Sequence, residues 1–160
     1  MALHKKKKIA LVAHDNMKVD LAEWVAWNWE LLLSHHIICT GTTGKMVAKT
    51  LMERRGDSNN GRFDITMLKS GPLGGDQQLG SLIAEQEIDA LIFFWDPMSA
   101  QPHDVDVKAL LRLATLYNIP TAINRSSADF IISSPLFDDK DYRPVVKDYK
   151  AYIERSLNLK

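Results

Sequence analysis

Ala90-Leu91-Ile92-Phe93-Phe94-Trp95 is a run of six apolar side chains with no polar residue among them. A strand with one wet face alternates polar and apolar residues, whereas a strand covered on both faces reads as a continuous apolar run. The stretch therefore predicts a central strand of a parallel sheet. Its flanks agree. Residues 76–87 place Leu79, Leu82 and Ile83 at helical spacing, and residues 106–117 do the same with Val107, Leu110, Leu111 and Ala114. Further out, strands are predicted at 8–13, 37–40, 64–68 and 121–124. Helices are predicted at 20–34, with Leu21, Trp24, Val25, Asn28, Leu31 and Leu32 on one face, and at 43–53, with Val47 and Leu51 aligned. A short helix at 128–133 ends before Pro135, and a terminal one covers roughly 145–157. This alternation implies an α/β fold: one doubly wound, Rossmann- or flavodoxin-like, five-stranded parallel sheet with helices on both faces, spanning 1–160 as a single domain.

Composition narrows the function classes. The chain has 160 residues, 46% apolar and 25% charged, ordinary values for a globular protein with a real core. Its formal net charge is zero, so no basic field argues for nucleic acid. Lys5-Lys6-Lys7-Lys8 reads as a solvated lead-in to the first strand. The apolar run after it is too short for a signal sequence, and no segment approaches a membrane span. Cys39 is the sole cysteine, lies in an apolar run and reads as a buried small hydrophobe. A cytoplasmic protein without nucleic-acid or membrane partners is expected. Residues 54–62, which include Asn60-Gly61, are expected to form a mobile loop.

In doubly wound sheets, ligands bind beyond the carboxyl ends of the strands. Those ends are where this chain concentrates reactive side chains. After the first strand come His14, Asp15 and Lys18; after the second, Thr40-Gly41-Thr42-Thr43-Gly44. After the third comes Ser70-Gly71-Pro72-Leu73-Gly74-Gly75-Asp76-Gln77-Gln78, and after the fourth, Asp96 through His103 to Asp106. Asn124 follows the fifth. Hydroxyls and N–H groups at the start of a helix can hold an anion such as phosphate, with Lys18 adding charge. The same threonines could simply cap that helix. Asp76 is likewise open to two readings, a helix cap or a base beside a bound anion. His14 and His103, at one rim with Asp76, Asp96 and Asp106, offer acid–base chemistry or structural histidines. No metal-ligand spacing is present.

Five blocks narrow these choices together. IALVAHD (9–15), TGTTG (40–44), SGPLGGDQQ (70–78), FFWDP (93–97) and PHDVDVKALLRLA (102–114) resemble, in order and spacing, the methylglyoxal synthase family. The resemblance implies conversion of dihydroxyacetone phosphate to methylglyoxal and inorganic phosphate, with no cofactor and no metal. It implies that Asp76 is the catalytic base, supported by His103, Asp96 and Asp106. It implies that Thr40, Gly41, Thr42, Thr43, Ser70, Gly71 and Lys18 bind the phosphate, and that His14 and His103 contact the carbonyl and hydroxyl end. A homohexamer inhibited by phosphate is the family's habit. The competing class is a non-catalytic phosphate-ligand or allosteric module on the same fold, which could keep the threonines and lose Asp76, His14 and His103. A receiver-like signalling domain would need an acidic cluster after the first strand, which His14-Asp15 does not supply. Arg155 falls one residue from a C-terminal arginine that some members place at the phosphate and is not assigned to the site.

Overall fold

The computed structural model describes residues 6–56 and 63–155. Its elements, in chain order, are β1 (Lys8–Ala13), α1 (Lys18–Trp27), α2 (Trp29–Leu33), β2 (His36–Thr40), α3 (Gly41–Arg55), β3 (Ile65–Leu68), α4 (Gly75–Ala84), β4 (Ala90–Phe94), α5 (Asp104–Leu116), β5 (Thr121–Ala122), α6 (Arg125–Ser133), α7 (Pro135–Asp138) and α8 (Lys150–Arg155). The strands form one parallel sheet in the order β3-β2-β1-β4-β5. That is the dinucleotide-fold order without its sixth strand. Because β4 returns to the far side of β1, a crevice opens between the carboxyl ends of those two strands.

Alternation along the central strands sorts the core into two layers. Leu91 and Phe93 join Ala10, Val12, Ile38, Leu79, Ile83, Val107, Leu110 and Ala114 on one face. Ile92 and Phe94 join Ile9, Leu11, Leu21, Trp24, Val25, Val47, Leu51, Ala128 and Ile132 on the other. Phe93 and Phe94 are both fully buried, so the apolar run that predicted a doubly covered strand does so because successive side chains serve opposite cores.

Several boundaries differ from expectation, each for a physical reason. The helix expected over 20–34 is divided at Asn28, where the backbone leaves helical angles (φ −103°, ψ 20°) and the side-chain amide adds a bond to the Trp24 carbonyl at 2.9 Å beside that of the Asn28 N–H at 3.1 Å. Trp24 is buried and donates its indole N–H to Asp129, whereas Trp27 is exposed and Trp29 packs at the edge of the core. Trp95 lies outside β4 and is partly exposed. The fifth strand shrinks to two residues because Asn124 turns to cap α6, accepting from the Ser127 N–H at 2.9 Å. Arg54 and Arg55 close α3 instead of opening a loop; the remainder of that expected loop, 57–62, lies outside the described residues. The terminal helix occupies 150–155 of those described.

Candidate functional site

Four strand ends build one cavity of about 270 Å³. β1 delivers His14, the 3₁₀ turn Asp15–Met17 and Lys18 at the start of α1; β2 delivers Thr40, Thr42 and Thr43. β3 delivers Ser70, Gly71, Pro72 and, one turn on, Asp76; the loop after β4 delivers Gln101 and His103. A cavity of about 290 Å³ at the other end of the sheet, between Lys7, Pro120, Phe130 and Phe137, is apolar. Its carboxylate, Asp89, is taken up by the Lys8 backbone N–H. Size alone does not single out a site, but convergent ionisable groups do.

One half of the cavity gathers groups of the kind that can hold an anion. Thr40 stands at the N-cap position of α3, yet its side chain accepts no capping bond, so the simple capping role is not what it performs. The first N–H groups of a helix have no partner within it. That of Gly41 is used by the Lys69 carbonyl at 3.1 Å, which leaves those of Thr42 and Thr43 turned toward the cavity end of the helix. Position 41 has φ +32°, and a Cβ there would meet Ser70 Cα at 2.6 Å, so only glycine lets the second and third strand ends close on each other. The Lys18 ammonium donates to Thr42 Oγ1 and to Asp15 Oδ1, the latter at 2.7 Å. The helix dipole of α3 and this ammonium favour negative charge at the same point.

The other half gathers ionisable groups, the buried Asp76 and His14 and the partly buried His103. Asp76 is 3% exposed, in the first turn of α4; the cap itself is Gly74. Its Oδ2 lies 3.5 Å from His103 Nε2 and has no hydrogen-bond partner among the described residues. Burial is the main cause raising its proton affinity above the usual carboxylate range; the His103 charge opposes this and the Asp106 charge adds to it. His14 stacks edge-on against Phe93 and against His103, with ring centroids 5.1 and 5.8 Å apart. Its Nδ1 accepts from the Asp96 backbone N–H at 3.0 Å, so a neutral ring carries its proton on Nε2, which is buried without a partner among the described residues. Burial first, then His103, holds the imidazole below its ordinary value against the pull of Asp104, Asp96 and Asp15. The balance favours the neutral ring.

The remaining expected residues stand further back. Asp96 is buried behind His14, its carboxylate accepting from Asn16 and from the Met98 N–H. Those bonds, that from Asn16 first, keep it readily ionised. Asp106 lies in the first turn of α5 and lines a groove between α4 and α5 that reaches Asp76 from behind. Asn124 does not line the cavity. Sequence reading missed Gln101 and Asn16, since a single amide in a loop carries no spacing signal.

The chain's relatives share this architecture. Residues 20–123 match the family model described as the MGS-like domain. A methylglyoxal synthase of Maridesulfovibrio salexigens is 54% identical over 158 residues, covering 97% of this chain and 100% of that protein. Another, of Coxiella burnetii, is 52% identical over 151 residues, covering 94% and 98%. The crystal structure of the methylglyoxal synthase of Elizabethkingia anophelis NUHP1 superposes with a TM-score of 0.82 at 48% identity, covering 94% of this chain and 91% of the other. Identity at this level over nearly every residue, on a sheet of the same topology, places the chain in the methylglyoxal synthase family.

Proposed function

We propose that this chain is a carbon–oxygen lyase that converts dihydroxyacetone phosphate to methylglyoxal and inorganic phosphate. One observation carries the reading: a buried carboxylate with a raised proton affinity faces, across a single small cavity, a lysine and two threonines at a helix N-terminus. A module that only bound phosphate would have no use for that carboxylate.

The chemistry follows from the two halves. Asp76 takes a proton from the hydroxymethyl carbon next to the carbonyl, and the electron pair moves onto the carbonyl oxygen as an enediolate. His14 Nε2–H stabilises that oxygen, in the manner of an oxyanion donor. His103 accepts the hydroxyl proton as the electrons flow back, a second double bond forms, and the C–O bond to phosphate breaks. Protonation of the resulting enol carbon yields the methyl ketone, so every proton removed is returned to product or to phosphate. Negative charge on the phosphate grows as the bond breaks, so Lys18, Thr42, Thr43, Ser70 and Gly71 contribute more late in the reaction than early. Asp96 and Asp106 support the base and the histidines from behind.

We also read the enzyme as one domain acting in the cytoplasm as a homohexamer, on a bypass of glycolysis, and inhibited by phosphate. The family resemblance supports this, as do the exposed Trp27 and Phe130, which offer apolar surface for subunit contacts. A cradle that holds the leaving phosphate would also bind it free. The test is purified protein with dihydroxyacetone phosphate and no added metal or cofactor. Equal amounts of phosphate and a dicarbonyl product are expected; phosphate release without the dicarbonyl, or no release, would sink the proposal.

A further inference from the structure

Asn16 lies outside the cavity, in the turn after β1, yet it ties that turn to the loop after β4. Its Nδ2 donates to Asp96 Oδ2 at 2.9 Å and to Ser99 Oγ at 3.2 Å. Asp96 Oδ1 accepts from the Met98 N–H at 2.9 Å, and the Asp96 N–H donates to His14 Nδ1 at 3.0 Å. Residues 95–103 are neither helix nor strand, so side-chain bonds of this kind set the path of the backbone there.

We propose that Asn16 is a positioning residue for the elimination: by clamping the Asp96 carboxylate it fixes the Asp96 N–H that holds His14 in its Nε2–H tautomer. The inference rests on the reading of His14 as the donor to the enediolate oxygen. A neutral imidazole has one donor and one acceptor nitrogen, and the partner of one decides the state of the other. While the Asp96 N–H points at Nδ1, that nitrogen cannot carry a proton, and Nε2–H is presented to the cavity. Release of the loop lets the Asp96 peptide turn away. Nδ1 can then take the proton, and Nε2 would meet a developing oxyanion with a lone pair. The amide of Asn16 suits the task because both its hydrogens are used, one on an ionised carboxylate, where a hydrogen bond is stronger than between neutral groups. A carboxylate at position 16 would instead repel Asp96.

The experiment combines kinetics with nitrogen NMR of histidine-labelled full-length protein, the His14 signals being assigned by their loss in His14→Gln. Asn16 is exposed, so Asn16→Leu should fold. In this variant the His14 nitrogens should shift from the Nε2–H pattern toward a mixture. Turnover should fall about 5- to 10-fold, while KM for dihydroxyacetone phosphate and inhibition by phosphate stay within about twofold. Asn16→Asp, the isosteric variant, should fall further, and Asn16→Gln should recover part of the loss. Unchanged His14 nitrogen signals in both Asn16→Leu and Asn16→Asp overturn the inference whatever the activity, because a mere loop staple would lower only thermal stability. A fully active His14→Leu enzyme, which has no donor at that place, would instead overturn the donor role of His14, a result the nitrogen spectra of the Asn16 variants cannot mimic.

Discussion

A methyl group at position 71 would land between the two residues that face each other across the site. An ideal Cβ on Gly71 lies 2.8 Å from His103 Nε2, 3.1 Å from His103 Cδ2 and 3.1 Å from Asp76 Oδ2, where ordinary contact begins at 3.4 Å. Gly71 opens the short 3₁₀ turn Gly71–Leu73 and has no positive φ, so alanine adopts its backbone without strain. The cost is therefore local. Asp76 is fixed on α4 in the core, whereas His103 ends an irregular loop and is the side that gives. The imidazole must retreat by about 0.6 Å, the difference between 3.4 and 2.8 Å, which widens the 3.5 Å His103–Asp76 gap. Displacements near 1 Å at a reacting centre cost on the order of 100-fold, so Gly71→Ala should lower kcat roughly 10- to 100-fold. The assay is continuous phosphate release, with thermal melting and phosphate titration alongside. Melting within a few degrees of the parent is expected. A variant that keeps kcat within twofold would refute the idea that the reacting carbon sits between His103 and Asp76.

Other perturbations separate the roles of the two halves. Asp76→Asn should lower kcat by about 10²–10⁴-fold and yet raise the melting temperature at neutral pH by a few degrees, because a neutral amide avoids the desolvation cost of the buried charge. Since the folded-state proton affinity of Asp76 is raised, ionisation costs stability above the unfolded pKa; the gain should vanish in acid near pH 3, and an equal gain there would refute it. The acid limb of kcat/KM should lie above the ordinary carboxylate value, and Asp106→Asn should move it down by removing a neighbouring negative charge; an upward move contradicts the placement of Asp106. Thr42→Ala should raise KM and the phosphate inhibition constant together, by about tenfold, and a rise in only one removes Thr42 from the cradle. Cys39 is buried and its thiol is pushed up to about 12, so a thiol reagent at pH 8 should label only unfolded chains.

How much of this was legible depended on whether a residue acts through its own type and spacing or through a neighbour. The apolar run 90–95 announced the central strand because double burial leaves no room for polar residues. Thr40 to Thr43, Asp76 and His103 could be read because they follow strands, where any doubly wound sheet exposes its ligand rim. Asn28 could not: its amide fits a helix face as well as a helix break, and spacing does not tell which backbone angles it adopts. Asn124 sat after a predicted strand like the others, but the strand ended two residues early and its side chain went to a helix cap. Asp96 and Asp106 were legible as carboxylates near the site. Their places behind His14 and behind Asp76 follow from loop and helix geometry, which spacing does not encode.

Topology also explains why the ligand should be small and singly phosphorylated. The cradle is built at the ends of β2 and β3, on one side of β1, whereas His14 and His103 come from β1 and β4, which flank the crevice. Asp76 bridges the halves because α4 starts after β3 but packs against α5, which starts after β4. The distance from anion to base is thus set by strand spacing, about 4.8 Å per strand, and spans roughly one to two strands. A phosphate with three carbons fills that span and little more in a cavity of about 270 Å³. The same arrangement puts a buried carboxylate oxygen, His14 Nε2 and His103 Nδ1 at the crevice without hydrogen-bond partners among the described residues. These unpaired atoms are the ones a triose phosphate can engage.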